Sequence, residues 1–369
     1  MYDLIVIGGG PAGTSAAIIA ARGGACVLLL ERGKFPRHKV CGEFVSAESL
    51  GLLECLLADE NVALLQSAVR IPQARIFLDG RVLRTAIHPP AASLARFNLD
   101  AALWNSARAA GVETREQTGV QSIAGDGPFV VQTCAEELSA RAVINASGRW
   151  SNLSSAASIN RKPHEKWLGL KAHFPEPSPY PSVDLYFFED GYCGVQPVRL
   201  WDPNKEDAVN VCAMVRADRA STLPEVFQLH LALKERSRGW QPLTEPVTTS
   251  PLIFHNPQPN RGNVLQAGDT AGFVDPFVGD GISLALRSGR MAAESLLSFF
   301  RQETALAAAT ARYCERYAQE LAGVFRASAG IRHMLRLPRR ARKPFVFLLE
   351  KNPAITRYLV RKTRSSTNG

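Results

Sequence analysis

The chain opens with a continuous apolar run, "DLIVI", then a glycine turn, a small-residue helix pattern and a second apolar run, "ACVLLLE". Unbroken runs of this kind suit parallel strands buried on both faces. Further on the pattern changes. "RIFLDGRVLRTAI" alternates apolar and polar positions and turns at Asp79-Gly80, which predicts a hairpin. "KWLGLKAHF", "VDLYFFE", "YCGVQPVRL" and "AVNVCAMV" predict four more strands, followed by a helix over "LPEVFQLHLALKERSR". Helical spacing marks "AASLARFNLDAALWNSARAAGVE", with Leu94, Phe97, Leu99, Leu103 and Ala107 on its apolar side and Gly111 at its end. A strand at Ala142 to Ala146 and another at "NVLQAGD" precede a long helix starting near Ile282, and Glu303 to Ser328 reads as a second long helix.

Composition adds limits. The 369 residues, 46% hydrophobic and 21% charged, fit a globular protein of one or two intermixed domains. The seven cysteines (26, 41, 55, 134, 193, 212 and 314) are unevenly spaced and form no CxxC pair. That argues against a disulfide framework or a zinc site, and predicts a reducing, cytoplasmic setting with no metal. With the first strand at Tyr2, no signal peptide is expected ahead of the fold. No apolar run reaches the ~20 residues of a membrane-spanning helix. From Ile331 to the end, eleven Lys or Arg against one acid, Glu350, give +10, which leaves −1 for the rest.

The opening unit carries Gly8, Gly10 and Gly13 in G-x-G-x-x-G, between a strand and a helix. The spacing permits a tight turn, close approach of a pyrophosphate and helix packing on the strand. Glu31 ends the second strand, where a carboxylate suits ribose hydroxyls and disfavours a 2′-phosphate. The unit alone fits NAD or FAD. A second acid, Asp269, also ends a strand and precedes Gly279-Asp280-Gly281 at a helix start. Amides at Gly281 and Ile282 there could face a charged ring edge. Expected contacts to the dinucleotide are Gly8, Gly10, Pro11, Ala12, Gly13, Glu31, Arg32, Arg96, Asp269, Gly279, Gly281 and Ile282. Arg96 is alternatively a solvated surface charge.

In their order, these motifs resemble the flavoprotein superfamily of class A aromatic hydroxylases, flavin-dependent halogenases and geranylgeranyl reductases, over about residues 1–300. The resemblance implies an α/β fold with non-covalent FAD on a Rossmann-like domain (1–68, 91–155 and 258–300). An antiparallel substrate sheet is inserted at 69–90 and 156–257, and residues 301–369 form a basic helical region. "FPRHKVCGE" is similar to the P-x-x-x-x-C-G-[GDE] element of the geranylgeranyl and menaquinone reductase branch, whose cysteine lies close to the flavin ring. Cys41 is thus the expected catalytic residue, shaping the flavin's redox face or donating a proton. The plain alternative is a buried apolar side chain. Neighbouring Arg37, His38 and Lys39 could lower its pKa.

Two departures stand out. The reductases carry Y-x-W-x-F-P where this chain has "GYCGVQPV". Tyr192 and Pro197 match, while Gly194 and Gln196 replace the tryptophan and phenylalanine. The hydroxylases' Asp-Gly pair, linked to NAD(P)H use, is Ser147-Gly148 here, so NAD(P)H as electron donor stays open.

Tyr186, Phe188, Tyr192, Gln196 and Pro197 are expected to form a pocket for a lipophilic or aromatic substrate. Trp167 is a further pocket aromatic, and His173 and His255 are candidate acid–base groups, with a satisfied structural histidine as the alternative. The expected chemistry is reductase or dehydrogenase, with hydride transfer at flavin N5. The alternatives are class A monooxygenation, with O2 adding at C4a, and a non-catalytic flavin-binding partner. The tail, 331–364, is expected to meet an anionic membrane surface or an acidic carrier protein, or else to cap the core. No reading motif points to nucleic acid.

Overall fold

A computed structural model describes residues 1–149, 153, 166–200, 208–254 and 256–351. His255 and the tail beyond 351 lie outside the described residues.

The first part of the chain alternates as its pattern predicts: β1 (Tyr2–Ile7), α1 (Pro11–Arg22) and β2 (Val27–Leu30). Then come β3 (Phe44–Val45), α2 (Leu50–Leu56) and α3 (Ala63–Gln66), followed by the hairpin β4 (Val69–Leu78) and β5 (Arg81–Ser93). Helix α4 (Arg96–Ala109) leads to β6 (Glu113–Arg115), β7 (Val120–Ala124), β8 (Phe129–Thr133) and β9 (Glu137–Asn145). The middle holds β10 (Trp167–Pro175), β11 (Ser182–Phe188), β12 (Gly191–Val198), β13 (Ala208–Arg216), α5 (Leu223–Gln228), α6 (Leu231–Arg236) and β14 (Val247–Thr249). The chain closes with β15 (Asn260–Arg261), β16 (Val264–Gln266), α7 (Gly281–Phe300), α8 (Leu306–Glu320), α9 (Ala322–Arg336) and α10 (Arg339–Lys351).

Two eight-stranded sheets result. The first runs β15-β16-β9-β1-β2-β6, with β7 and β8 attached through β9. Its parallel centre, Ile7 beside Leu30 and Asn145, brings three strand ends together. Crevices at such carboxyl ends are where open α/β sheets take ligands. The second sheet runs β14-β10-β13-β12-β11-β4-β5-β3. It is antiparallel except where β11 pairs with β4 in parallel. At Asp79-Gly80 both residues have positive φ (54° and 80°), as a two-residue hairpin of this twist requires.

Several boundaries differ from expectation. Phe44–Val45 joins the second sheet, and β5 continues to Ser93, so Ala92 and Ser93 pair with it rather than starting α4. The helix expected from Glu303 to Ser328 is two helices that break at Leu321. Gly323 stands in the first turn after the break, and Leu321 and Val324 are both buried there, so local flexibility and tertiary packing together set the new direction.

The tail is partly structural. Val346 is buried against Leu78 and Leu83. Arg342 donates two hydrogen bonds to the Asp79 carboxylate (2.7 and 2.8 Å), and Arg332 donates to Asp275 (2.9 Å). Part of the basic charge is therefore used inside the molecule. No described helix is long and apolar enough to cross a membrane.

Candidate functional site

A cavity of about 650 Å³ lies between the two sheets. One end is walled by Gly8, Gly10, Pro11, Ala12, Glu31, Arg32 and Arg96, the other by Tyr192, Met214, Leu252 and Phe273.

The glycine turn divides its labour. A Cβ built on Gly13 would stand 1.8 Å from the Gly8 carbonyl oxygen, so Gly13 serves helix packing and not a ligand. At Gly10 the nearest atom to a Cβ is Arg96 Nη2, at 4.0 Å. The open space there faces the cavity at the start of α1, where free N–H groups favour phosphate.

Glu31 is buried, and its carboxylate accepts from Gly9 N (2.8 Å), Gly33 N (2.8 Å) and the Arg37 fork (2.7 and 2.9 Å). Burial opposes the charge, but Arg37 and the two amides outweigh it and hold the carboxyl below its ordinary range. A ribose hydroxyl must share these oxygens with Arg37 or displace it. Arg96 is not a solvated charge: its Nε and Nη2 grip Asp100 at 2.6 and 2.7 Å while it lines the cavity.

The second acid loop is tied to the end of β9. Gly148 N donates to Thr270 Oγ1 at 2.8 Å, and Thr270 Oγ1 donates back to Gly148 O at 3.3 Å. Asp269 lines the cavity and pairs with Arg149 at 3.3 Å. Gly279, Gly281 and Ile282 line it too, at the start of α7.

The roof differs from the sequence reading. Alternation puts Tyr192 and its cross-strand neighbour Met214 on the cavity side of β12 and β13. Tyr186 pairs with Cys193, whose side chain faces the other way, so Tyr186 and Phe188 pack under α5 and α6. Arg236 donates to the Tyr186 hydroxyl at 3.0 Å. Gln196 is buried and donates to Ser93 Oγ at 2.7 Å, and Pro197 shares the face of Cys193; neither lines the cavity. Of the five expected pocket residues, only Tyr192 does. Cys212, Met214, Thr249, Leu252 and Phe273 are the wall that the sequence reading missed.

Cys41 lines the cavity. Burial pushes its thiol above the ordinary value, although Arg96 pulls the other way. The expectation that Arg37, His38 and Lys39 lower it is not met: burial, then Lys171 and His173, takes His38 itself down to about 4. Lys39 falls to about 8 through burial, then Arg37 and Arg96. Cys41 is a protonated thiol at neutral pH.

Behind it lies a buried ionic cluster that the sequence reading did not assemble, although it named His173. Glu43, Lys171 and His173 are all 0% exposed. Glu43 Oε1 accepts from Lys171 Nζ (2.6 Å) and Arg96 N (2.8 Å), and Oε2 meets His173 Nε2 (2.9 Å). Burial opposes the charge, but Lys171 and His173 hold the carboxyl at about 2. Asn210 Nδ2 donates to Cys41 O at 3.1 Å. The available signal was "KAH" inside an apolar strand: positions i and i+2 share a face, and a lysine there needs an acid. Among the described residues no cluster of His, Cys, Asp or Glu is placed to hold a metal.

These features define a flavoprotein of the two-sheet kind, with a dinucleotide crevice under a substrate sheet. The chain belongs to the FAD binding domain family, whose model matches residues 1–324. It is similar to digeranylgeranylglycerophospholipid reductase 2 of Methanopyrus kandleri, 26% identical over 340 residues, covering 88% of this chain and 84% of the relative. It is also similar to the flavin-dependent halogenase armH1 of Armillaria mellea, 25% identical over 343 residues, covering 81% and 65% of the two chains. In fold it matches a geranylgeranyl bacteriochlorophyll reductase-like protein of Thermoplasma acidophilum (TM-score 0.74, 21% identity, 98% of this chain and 95% of the other). It likewise matches the flavin-dependent brominase Bmp2 (TM-score 0.76, 18% identity, 98% and 93% covered). The protein is an FAD-dependent oxidoreductase. The groups present fit FAD: the open backbone at Gly10, two separated acids and a cavity long enough to join them.

Proposed function

We propose that the protein reduces a carbon–carbon double bond in a lipophilic small molecule. The observation that supports this is Cys41, a neutral thiol in the cavity wall opposite the apolar surface of Tyr192, Met214, Leu252 and Phe273. It is reinforced by the similarity to a lipid reductase. Bound FAD, once reduced, supplies the hydride equivalent to one alkene carbon. Cys41 Sγ holds the proton that the other carbon takes, and solvent restores it once the product has left. The buried Glu43 cluster fixes the turn that carries the thiol, and the second sheet excludes water.

The test is anaerobic mixing of photoreduced holoenzyme with prenyl alcohols. Consumption of the double bond, with a loss of about 10²-fold or more in Cys41→Ser at unchanged FAD content, is the expected result for a positioned acid. A Cys41→Ser variant turning over at the wild-type rate removes the thiol from the chemistry. An oxygenated or halogenated product under air, with no alkene reduction, replaces this reading with monooxygenase chemistry, which the similarity to a halogenase favours.

For location we propose contact with an anionic lipid surface through α10. Its exposed side carries Phe347 and Leu348 beside Arg340 and Lys343, and the exposed Leu337 stands just ahead of it. Basic groups near such a surface contribute about 1 kcal/mol each. The full chain should cosediment with anionic but not neutral vesicles at low salt and release at high salt; equal recovery with both sinks the idea. Binding to an acidic carrier protein in place of vesicles would point to the other partner expected of this tail.

A further inference from the structure

Arg149 follows Ser147-Gly148 at the end of β9, and its backbone is fixed by the Thr270 clasp described above. Its guanidinium lies over the Phe273 ring, 4.1 Å from the centroid, and its Nε approaches Asp269 Oδ2 at 3.3 Å. The side chain is 17% exposed. Nη1 is buried and has no hydrogen-bond acceptor among the described residues. The residue lines the cavity, as do Cys212, Met214, Thr249 and Leu252.

That is an unusual place for a half-satisfied guanidinium. The group has five N–H donors in a fixed fork, and one ion pair at 3.3 Å uses little of it. A buried donor without an acceptor is costly, so an oxyanion arriving from the cavity has a strong reason to bind. The planar fork matches a carboxylate or phosphate in two-point contact. Beyond Asp269 and Thr249 the wall is carried by Cys212, Met214, Leu252 and Phe273, so the rest of such a ligand meets mostly apolar surface.

We infer that Arg149 selects the substrate: it takes an acid group, carboxylate or phosphate, at one end of an otherwise lipophilic molecule. This rests on the lipophilic-substrate reading above and adds the polar handle that orients the molecule. An apolar chain alone could enter in either direction or slide; a fixed cation sets which bond comes to rest beside Cys41.

The same nitrogen could instead serve an oxygen of the bound cofactor, and the experiment separates the two. Wild-type holoenzyme is titrated by flavin absorbance perturbation with two matched pairs, farnesyl phosphate against farnesol and 2-naphthoate against 2-naphthol. The acid member should bind at least about tenfold more tightly in at least one pair. Arg149→Gln should bring that ratio near one, with FAD content and the affinity for the alcohol unchanged, and Arg149→Lys should restore part of it. No acid preference in either wild-type pair overturns the inference, as does a preference that survives in Arg149→Gln. A shifted flavin midpoint potential in Arg149→Gln with the acid preference intact assigns the group to the cofactor and also overturns it. Acid preference confined to the naphthyl pair upholds Arg149 while counting against prenyl alkene reduction, so the two readings fail separately.

Discussion

Gly10→Val should yield a folded, colourless protein. In the structure a Cβ at Gly10 meets nothing closer than 4.0 Å, and the backbone (φ −77°, ψ −178°) is one that valine adopts readily. The empty protein therefore tolerates the side chain. The pyrophosphate does not, because the methyl groups stand where it must approach the α1 amides. Losing two charge-assisted contacts, each about 1.5–3 kcal/mol, weakens FAD by roughly a hundredfold or more. Gly13→Val supplies the contrast. Its Cβ would collide with the Gly8 carbonyl at 1.8 Å, so that variant should lose stability as well as cofactor. Flavin absorbance and thermal melting, read together, distinguish the two. A yellow Gly10→Val protein with full occupancy would place the pyrophosphate elsewhere.

Lys171→Met should be the most destabilising single change near the site. Removing one partner of a buried ion pair leaves the other charge uncompensated and costs roughly 3–5 kcal/mol. Here the group left is Glu43, fully buried, which keeps only His173 Nε2 and the Arg96 amide as partners. Lys171→Met combined with Glu43→Gln should recover much of the loss, since neither charge then remains. Acid titration gives an independent check. The folded carboxyl sits at about 2, below its unfolded value. Its contribution is therefore complete above the ordinary carboxylate pKa of about 4.3 and declines as pH falls toward 2. Urea unfolding at a series of pH values should show that decline in the wild type and lose it in Lys171→Met. An unchanged acid limb would mean that another carboxylate governs it.

What could be read in the sequence was local or strongly periodic. Gly8, Gly10 and Gly13 announce themselves because their spacing is fixed by a short turn between two apolar strands. Asp79-Gly80 does so because positive φ at both positions leaves few residue choices. Alternation in "VDLYFFE" and "YCGVQPVRL" correctly gives strands. It cannot say which of two faces looks at the cofactor, and Tyr186 and Phe188 were placed on the wrong one. That choice depends on α5 and α6 covering the far side, a fact of topology. The Glu43–Lys171 pair spans 128 positions in the chain, so no window contains it. Arg149 went unmarked as a ligand group for a related reason: its burial and its approach to Asp269 come from a clasp between β9 and the loop after β16. The tail's +10 looked like a free surface feature until Asp79 and Asp275 were seen to claim three of its arginines.

The short strand Phe44–Val45 has a mechanical consequence. Cys41 is numbered with the dinucleotide half, yet the segment that carries it is bolted to the other half. Phe44 and Val45 pair with Ser93 and Ala92, Leu94 N donates to Glu43 O at 2.9 Å, and the Glu43 side chain is locked to β10. The same segment is also held from below, because Glu43 Oε1 accepts from Arg96 N at the start of α4 and Ser46 Oγ meets Asp280 and Ser283 at the start of α7. The thiol therefore sits on a rivet through both halves, and its place between roof and crevice does not depend on either sheet alone.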